Sequence, residues 1–301
     1  MNSRLLDATR QRVLLCDGAM GTQLQIAGLS PGACGEAWNV EFPERVLGIQ
    51  CSYVEAGSDC LITNTFGGCR ITLERHGLAD RAFQINQAGV QIAREAFGER
   101  PGFVLGDIGP FGGFLEPLGD TPLTTVREAF QEQADALVSA GVDAIIIETQ
   151  VALDELSLAI QSARAAGAPC VIASLAFDAP LTGKDVRTIM GVTPEDAARF
   201  VTDAGADVVA MNCGKGIDIL WAARIIRRYK SATDLPTMAQ PNAGAPVMER
   251  GQLTYKQTPA QFAEGLPLLL EAGVKIVGGC CGSTPAHIAA LRSLIKRECC
   301  C

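Results

Sequence analysis

Three cysteines sit where short apolar runs end in glycine-rich corners. Cys213 closes the run in "DVVAMNCG", and the adjacent pair Cys280–Cys281 closes "KIVGGCCG". Neighbouring side chains on a strand point to opposite faces. Two neighbours serving one purpose therefore need a bent backbone, which the surrounding glycines permit. Three thiolates converging on one point form a soft donor set suited to Zn²⁺. No fourth ligand is evident, which leaves an open position of the kind catalytic zinc sites keep. The spacing is not that of a CxxC finger. Buried apolar cysteines and a vicinal disulfide are the competing readings.

Other chemistries find little material. The chain has 2 histidines, His76 and His287, too few for a His-rich or HExxH metal site. His76 reads as an exposed loop residue and His287 as a surface or packing residue. No lysine stands at the C-terminal end of an apolar run, and Lys275 begins one, which argues against a Schiff-base aldolase. "GDIGPFGG" lacks the spacing of a dinucleotide fingerprint and reads as a shaped loop.

The elements that must position the cysteines repeat along the chain. "RVLLCDG", "DCLITNTFG", "GFVLGDIGP", "DAIIIETQ", "PCVIASLAFD", "DVVAMNCG", "PTMAQPN" and "KIVGGCCG" are apolar runs of strand length. Helical periodicity is expected over Pro43–Ala56, Arg81–Phe97, Thr125–Ala140, Leu153–Ala166, Pro194–Ala204, Ile217–Tyr229, Pro259–Ala272 and Pro285–Lys296. Strands alternating with helices predict a parallel sheet, and near-continuous apolar strands fit burial on both faces. The reading is an α/β protein, a (β/α)₈ TIM barrel in a single domain over residues 1–301, with an open doubly wound sheet as the alternative. Arg297–Cys301 is expected to be a flexible tail without a catalytic role. Long loops, Gln25–Phe42 and Gly109–Thr124, fall where such barrels keep lids.

In such a barrel the active site lies at the C-terminal ends of the strands. Those ends carry Asp17, Asn64–Thr65, Asp107, Glu148, Asp178, Asn212–Cys213, Gln240–Asn242 and Cys280–Cys281. The sixth and eighth strands are alternate members of the barrel and supply the same layer, so their cysteines can share a point.

Composition bounds the partners. The net charge of −8 over 301 residues argues against nucleic acid or an anionic membrane as the main partner. The N-terminal stretch lacks the apolar core of a signal peptide, and no apolar run approaches the roughly 18 residues of a membrane span. A cytoplasmic location is the expectation, where 12 cysteines read as free thiols, ligands or core residues.

"CDGAMGT", "TNTFG", "GDIGP", "IIIETQ", "MNCG", "QPNAG" and "VGGCCGSTP" resemble, in order, the motifs of the homocysteine S-methyltransferase family, from about Leu14 to the last helix. The resemblance implies a (β/α)₈ barrel in which Cys213, Cys280 and Cys281 bind zinc, while Asp17 and Glu148 hold the amino group of homocysteine. Thr65 and Asn212 complete the expected substrate-binding set. A thiol near neutral pH is mostly protonated, and zinc would ionise and position it for attack on an activated methyl group. The family takes methyl groups from S-methylmethionine, S-adenosylmethionine, betaine or methylcobalamin. "TNTFGG", "PLGD" and "PNAGAPV" look closest to the homocysteine module of cobalamin-dependent methionine synthases. With no folate or cobalamin module following the barrel, methylcobalamin is expected from a separate corrinoid protein, in trans. A sulfonium donor bound in the barrel mouth is the second expectation. A betaine-type methyltransferase and a non-catalytic zinc- or thiol-binding barrel remain as alternatives.

Overall fold

The structure, a computed structural model, describes residues 3–180, 185–249 and 252–298. The barrel strands are β1 (Leu14–Leu15), β2 (Cys60–Ile62), β3 (Phe103–Ile108), β4 (Ala144–Gln150), β5 (Val171–Leu175), β6 (Val208–Asn212) and β7 (Thr237–Gln240). A two-stranded hairpin, β8 (Pro246–Glu249) and β9 (Gln252–Tyr255), precedes the last barrel strand, β10 (Ile276–Val277). The sheet runs β1-β10-β7-β6-β5-β4-β3-β2 with every pairing parallel. A parallel bridge between Cys16 and Cys60 joins its two edges and closes the barrel.

Period-two alternation divides the apolar residues into two layers. Leu14, Cys16, Cys60, Ile62, Ala144, Ile146, Ile172, Ala210 and Ile276 pack together inside the barrel. Leu15, Leu61, Ile145, Ile147, Val171, Met211 and Val277 face outward into the layer between strands and helices. Both faces are dry, which is why the strands read as unbroken apolar runs. Cys16, Cys60 and Cys170 have no exposed surface and serve as small apolar residues of the inner layer.

The helices are α1 (Arg4–Gln11), α2 (Met20–Ile26), α3 (Trp38–Glu41), α4 (Pro43–Glu55), α5 (Arg70–Glu74), α6 (Ala82–Phe97), α7 (Leu123–Ser139), α8 (Leu153–Ala165), α9 (Pro194–Asp203), α10 (Ile219–Lys230), α11 (Pro259–Glu264), α12 (Leu266–Glu271) and α13 (Pro285–Glu298). The expected single helix over Pro259–Ala272 is two. Pro267 lacks an N–H and its ring crowds the preceding turn, so the chain breaks at Gly265 and restarts. The unexpected α1 sends Leu5 into the inner layer and plugs the barrel floor. The last helix carries on through Glu298, past its expected end at Lys296, and Cys299–Cys301 lie outside the described residues. Among the described residues no helix is long and apolar enough to cross a membrane.

Candidate metal and substrate site

At the C-terminal rim the thiols of Cys213, Cys280 and Cys281 meet, with their sulfur atoms all within 4.8 Å of one another. Cys213 Sγ lies 3.7 Å from Cys281 Sγ, and Cys280 Sγ lies 3.9 Å from it. Zinc–sulfur bonds of about 2.3 Å at the tetrahedral angle would set sulfurs about 3.8 Å apart, so the donor set fits that metal. A turn closed by Ser283 N–H on the Cys280 carbonyl, at 3.0 Å, brings the adjacent cysteines to one side. Its third residue, Gly282, has φ +78°, which the third position of such a turn demands of glycine. Three sulfurs this close share protons unequally. The hydrogen bonds from Cys213 and Cys280, aided by Tyr255, hold Cys281 far below the usual thiol range, at about 3. Cys280 is raised, by its bonds to Cys213 and Cys281 and by burial. At Cys213 the bond with Cys280 pulls downward, but Cys281 and burial prevail and push it up to about 11.

Beside the thiols opens a cavity of about 430 Å³. Asp17, Glu36, Asp107 and Glu148 line it, with no lysine, arginine or histidine among the described residues of its wall. Asp17 follows β1 and accepts the Ile62 N–H at 2.8 Å. Burial nevertheless pushes its carboxyl up to about 8, against the pull of that N–H and of the Cys16 thiol. Burial raises Glu148 to about 7, with the Gln240 side chain opposing and the Cys281 charge adding. Asp107 is raised well above the usual range by burial first and then by the charges of Glu148, Glu36 and Asp17. Asp107 Oδ1 and Glu148 Oε1 have no hydrogen-bond partner among the described residues. A dry, acidic wall with unpaired oxygens suits a cationic group such as an ammonium.

Consecutive residues face this cavity at several places: Glu148–Thr149, Asn212–Cys213 and Cys280–Cys281. A regular strand forbids that. At β4 the register shifts between Ile147 and Gln150, and Thr149 takes φ +59°. At β6 the strand ends and Cys213 takes φ +56°. Gly214 follows at φ +87°, where a Cβ would lie 1.7 Å from the Phe177 carbonyl oxygen, so only glycine fits the corner. Asp178, read from sequence at the rim, does not line the cavity; its carboxylate braces this corner by accepting the Lys215 N–H at 2.8 Å.

A family model described as homocysteine S-methyltransferase matches residues 14–295. The chain belongs to that family. It is 36% identical over 309 residues to methionine synthase of Mycobacterium tuberculosis (strain ATCC 25618 / H37Rv), covering 97% of this chain and 26% of the relative. It is 33% identical over 305 residues to methionine synthase of Mycobacterium leprae (strain TN), covering 97% and 25%. The chain thus spans about a quarter of the length of these curated relatives. The metallated homocysteine methyltransferase MmuM from Escherichia coli superposes with a TM-score of 0.77 at 24% identity, over 96% of this chain and 98% of that one. Its oxidised form gives 0.77 over 97% and 99%. These structural likenesses bear on the fold.

In this member of the homocysteine S-methyltransferase family the expected site residues do not all reach the cavity. Cys213, Cys280, Cys281, Asp17, Glu148 and Asn212 line it, and Thr65 does not. Thr65 is fully buried and donates to the Asp107 carbonyl at 2.8 Å, while Thr63 Oγ1, 2.6 Å away, accepts the Asp107 N–H at 3.0 Å. The two hydroxyls thus clamp the Asp107 backbone from both sides. Glu36 enters from the long loop after β1, which carries no periodicity to mark it. Tyr255 does not line the cavity but reaches the Cys281 thiol from the β8–β9 hairpin, which was not among the expected strands. The run "VMERGQLTY" does hold a hairpin signal, apolar and β-branched residues around a glycine. His76 is exposed, as expected. His287 is buried, 5.5 Å edge-on to Phe262, with its ring nitrogens paired to Thr284 and the Gln257 carbonyl.

Proposed function

We propose that the chain methylates the thiol of homocysteine to form methionine, using a zinc ion held by Cys213, Cys280 and Cys281. The observation that carries this reading is the juxtaposition of a tetrahedrally spaced thiol set with a cavity whose carboxylate wall holds unpartnered oxygens of Asp107 and Glu148. Homocysteine presents both matching groups, a thiol at one end and an ammonium at the other. Cys213, Cys280 and Cys281 would hold the zinc ion, which would lower the pKa of an incoming thiol so that its sulfur could attack near neutral pH.

The chain's own residues do the remainder. Asp17 and Glu148 receive the ammonium, and Asp107, in the same wall, offers a further acceptor oxygen. Met20, Leu24, Ile62 and Phe66 in the wall cover the methylene stem and keep water from the sulfur. The thiol S–H bond breaks and its proton leaves. A sulfur–carbon bond forms as the methyl group parts from its carrier, which keeps the bonding electron pair. A methylated corrinoid carried by a separate protein is the donor that fits the likeness to methionine synthases, and an S-methyl sulfonium such as S-methylmethionine or S-adenosylmethionine is the second candidate.

The test supplies homocysteine with methylcobalamin, S-methylmethionine, S-adenosylmethionine or betaine in separate assays of the zinc-loaded protein. Methionine formed from any of them supports the transferase reading and names the donor class. No methionine from any donor, with homocysteine failing to protect the metal from a chelator, overturns it.

A further inference from the structure

Asn212 lines the cavity, yet its side chain is already committed. The residue is fully buried at the end of β6. Its Oδ1 accepts from the Thr149 N–H at 2.9 Å and from the Ser174 hydroxyl at 2.6 Å. Its Nδ2 donates to Thr149 Oγ1 at 2.7 Å. Both lone pairs of the oxygen are therefore used, and one N–H remains.

What the carboxamide holds is unusual. Thr149 and Cys213 are the non-glycine residues with positive φ among those described. For a β-branched threonine this conformation is a genuine outlier. Such residues persist only where their surroundings over-determine them. Asn212 is bonded to the first through two of its groups and is joined to the second by a peptide bond. Glu148 precedes Thr149, so one side chain ties the carboxylate corner of β4 to the thiol corner of β6, with Ser174 of β5 bracing it between.

We propose that Asn212 is a positioning residue which fixes the separation between the sulfur-holding Cys213 and the ammonium-holding Glu148, and so makes the site a ruler that accepts homocysteine and rejects cysteine, one methylene shorter. The roles given to Cys213 and Glu148 rest on the function proposed above; the clamp itself rests on the hydrogen bonds alone. Loosening it frees both corners, because the carboxamide holds the strained Thr149 directly and fixes the residue that immediately precedes Cys213.

The experiment compares Asn212→Ala, Thr149→Val and Thr149→Ser with the unaltered chain. Thr149→Val removes the hydroxyl while keeping the branched shape, and it carries the test if Asn212→Ala does not fold. Thr149→Ser keeps the hydroxyl and is the rescue. Three quantities are read: zinc affinity by chelator competition, the KM ratio of homocysteine to cysteine, and the labelling rate of the thiols in metal-free protein by an aromatic disulfide. Asn212→Ala and Thr149→Val should weaken zinc and raise the homocysteine KM together, each about tenfold, and narrow the preference over cysteine. Both should also change the labelling rate, and Thr149→Ser should restore all three. A raised homocysteine KM with unchanged zinc affinity and labelling would overturn the proposal and make Asn212 a direct substrate contact. Unchanged values throughout would overturn it equally. If the unaltered chain bound neither zinc nor homocysteine, the proposed function would fall, while the labelling rates would still judge the clamp.

Discussion

The sulfur of Cys213 lies 3.7 Å from that of Cys281 although 68 residues separate them in the chain. Neither side chain reaches across open space to achieve this. One is turned inward by a left-handed residue at the end of β6, the other by a glycine turn after β10. The backbone sets the spacing, so a metal entering the site meets donors already in place, and little ordering has to accompany binding.

Removing one donor should therefore cost most of the affinity. Cys281→Ala is expected to lose zinc almost completely by elemental analysis while retaining the barrel's circular dichroism. Cys51→Ala, which alters a helix residue away from the cluster, is the control and should keep full occupancy. Full zinc in Cys281→Ala would remove this cluster as the metal site.

Glu148→Gln should separate the metal from the substrate. The lost charge-assisted hydrogen bond in a buried site is worth roughly 1.5–3 kcal/mol, so the homocysteine KM should rise about tenfold or more. Zinc should stay bound, because Glu148 is not among the clustered donors. Kinetics indistinguishable from the unaltered protein would exclude Glu148 from ammonium recognition.

The barrel was legible because its strands are dry on both faces and so appear as plain apolar runs between amphipathic helices. Elements stabilised mainly by distant contacts were not. Helix α1 is polar over most of its length, and its place depends on Leu5 meeting residues such as Ile172 and Ala210, far along the chain. Among the described residues the two hairpin strands pair only with each other, and the role of the hairpin shows only once Tyr255 is seen beside Cys281. In the site, the cysteines were legible because thiols at strand ends have few structural uses in common with glycine corners. Thr65 has a side chain suited to binding, but whether a threonine spends its hydroxyl on a ligand or on a neighbouring carbonyl is decided by the geometry around Asp107, which no local pattern encodes.

Buried carboxyls give the fold a pH dependence with a definite sign. Burial pushes Glu155 up to about 7, against the pull of the Phe111 N–H, and pushes Asp17 up to about 8. The unfolded chain releases these protons near pH 4, so between that value and about 8 the folded state binds more protons. Their share of stability is complete below the unfolded pKa and is lost as pH rises through the folded values. Cys281, held at about 3, contributes with the opposite sign over this interval, but the raised carboxyls of Asp17, Glu148 and Glu155 outnumber it, so the melting temperature of the substrate-free protein should fall between about pH 6 and 8.5 by about a few degrees. Glu155→Gln keeps an acceptor for Phe111, whose N–H lies 2.8 Å from Oε1, and should flatten part of the slope. A melting temperature that rose over this interval would contradict the argument.

Two glycines distinguish backbone strain from crowding at the metal corner. Gly141 has φ +89° and Gly282 has φ +78°. Alanine at either must adopt the left-handed region, at about 1–2 kcal/mol. Around Gly141 an added Cβ meets nothing within 4 Å among the described residues. At Gly282 it would lie 2.2 Å from the Cβ and Cγ of Tyr255. Those are stem atoms, so the ring cannot swing clear without moving its backbone. Either Tyr255 leaves the thiols or the turn that carries Cys280 and Cys281 shifts. Gly141→Ala should therefore lower stability by about 1 kcal/mol and leave zinc affinity and homocysteine KM unchanged. Gly282→Ala should cost more stability and weaken zinc at least tenfold in chelator competition. Equal stability losses in the two variants, with zinc affinity untouched in both, would mean that the turn tolerates displacement and that Tyr255 takes no part in holding the cysteines together.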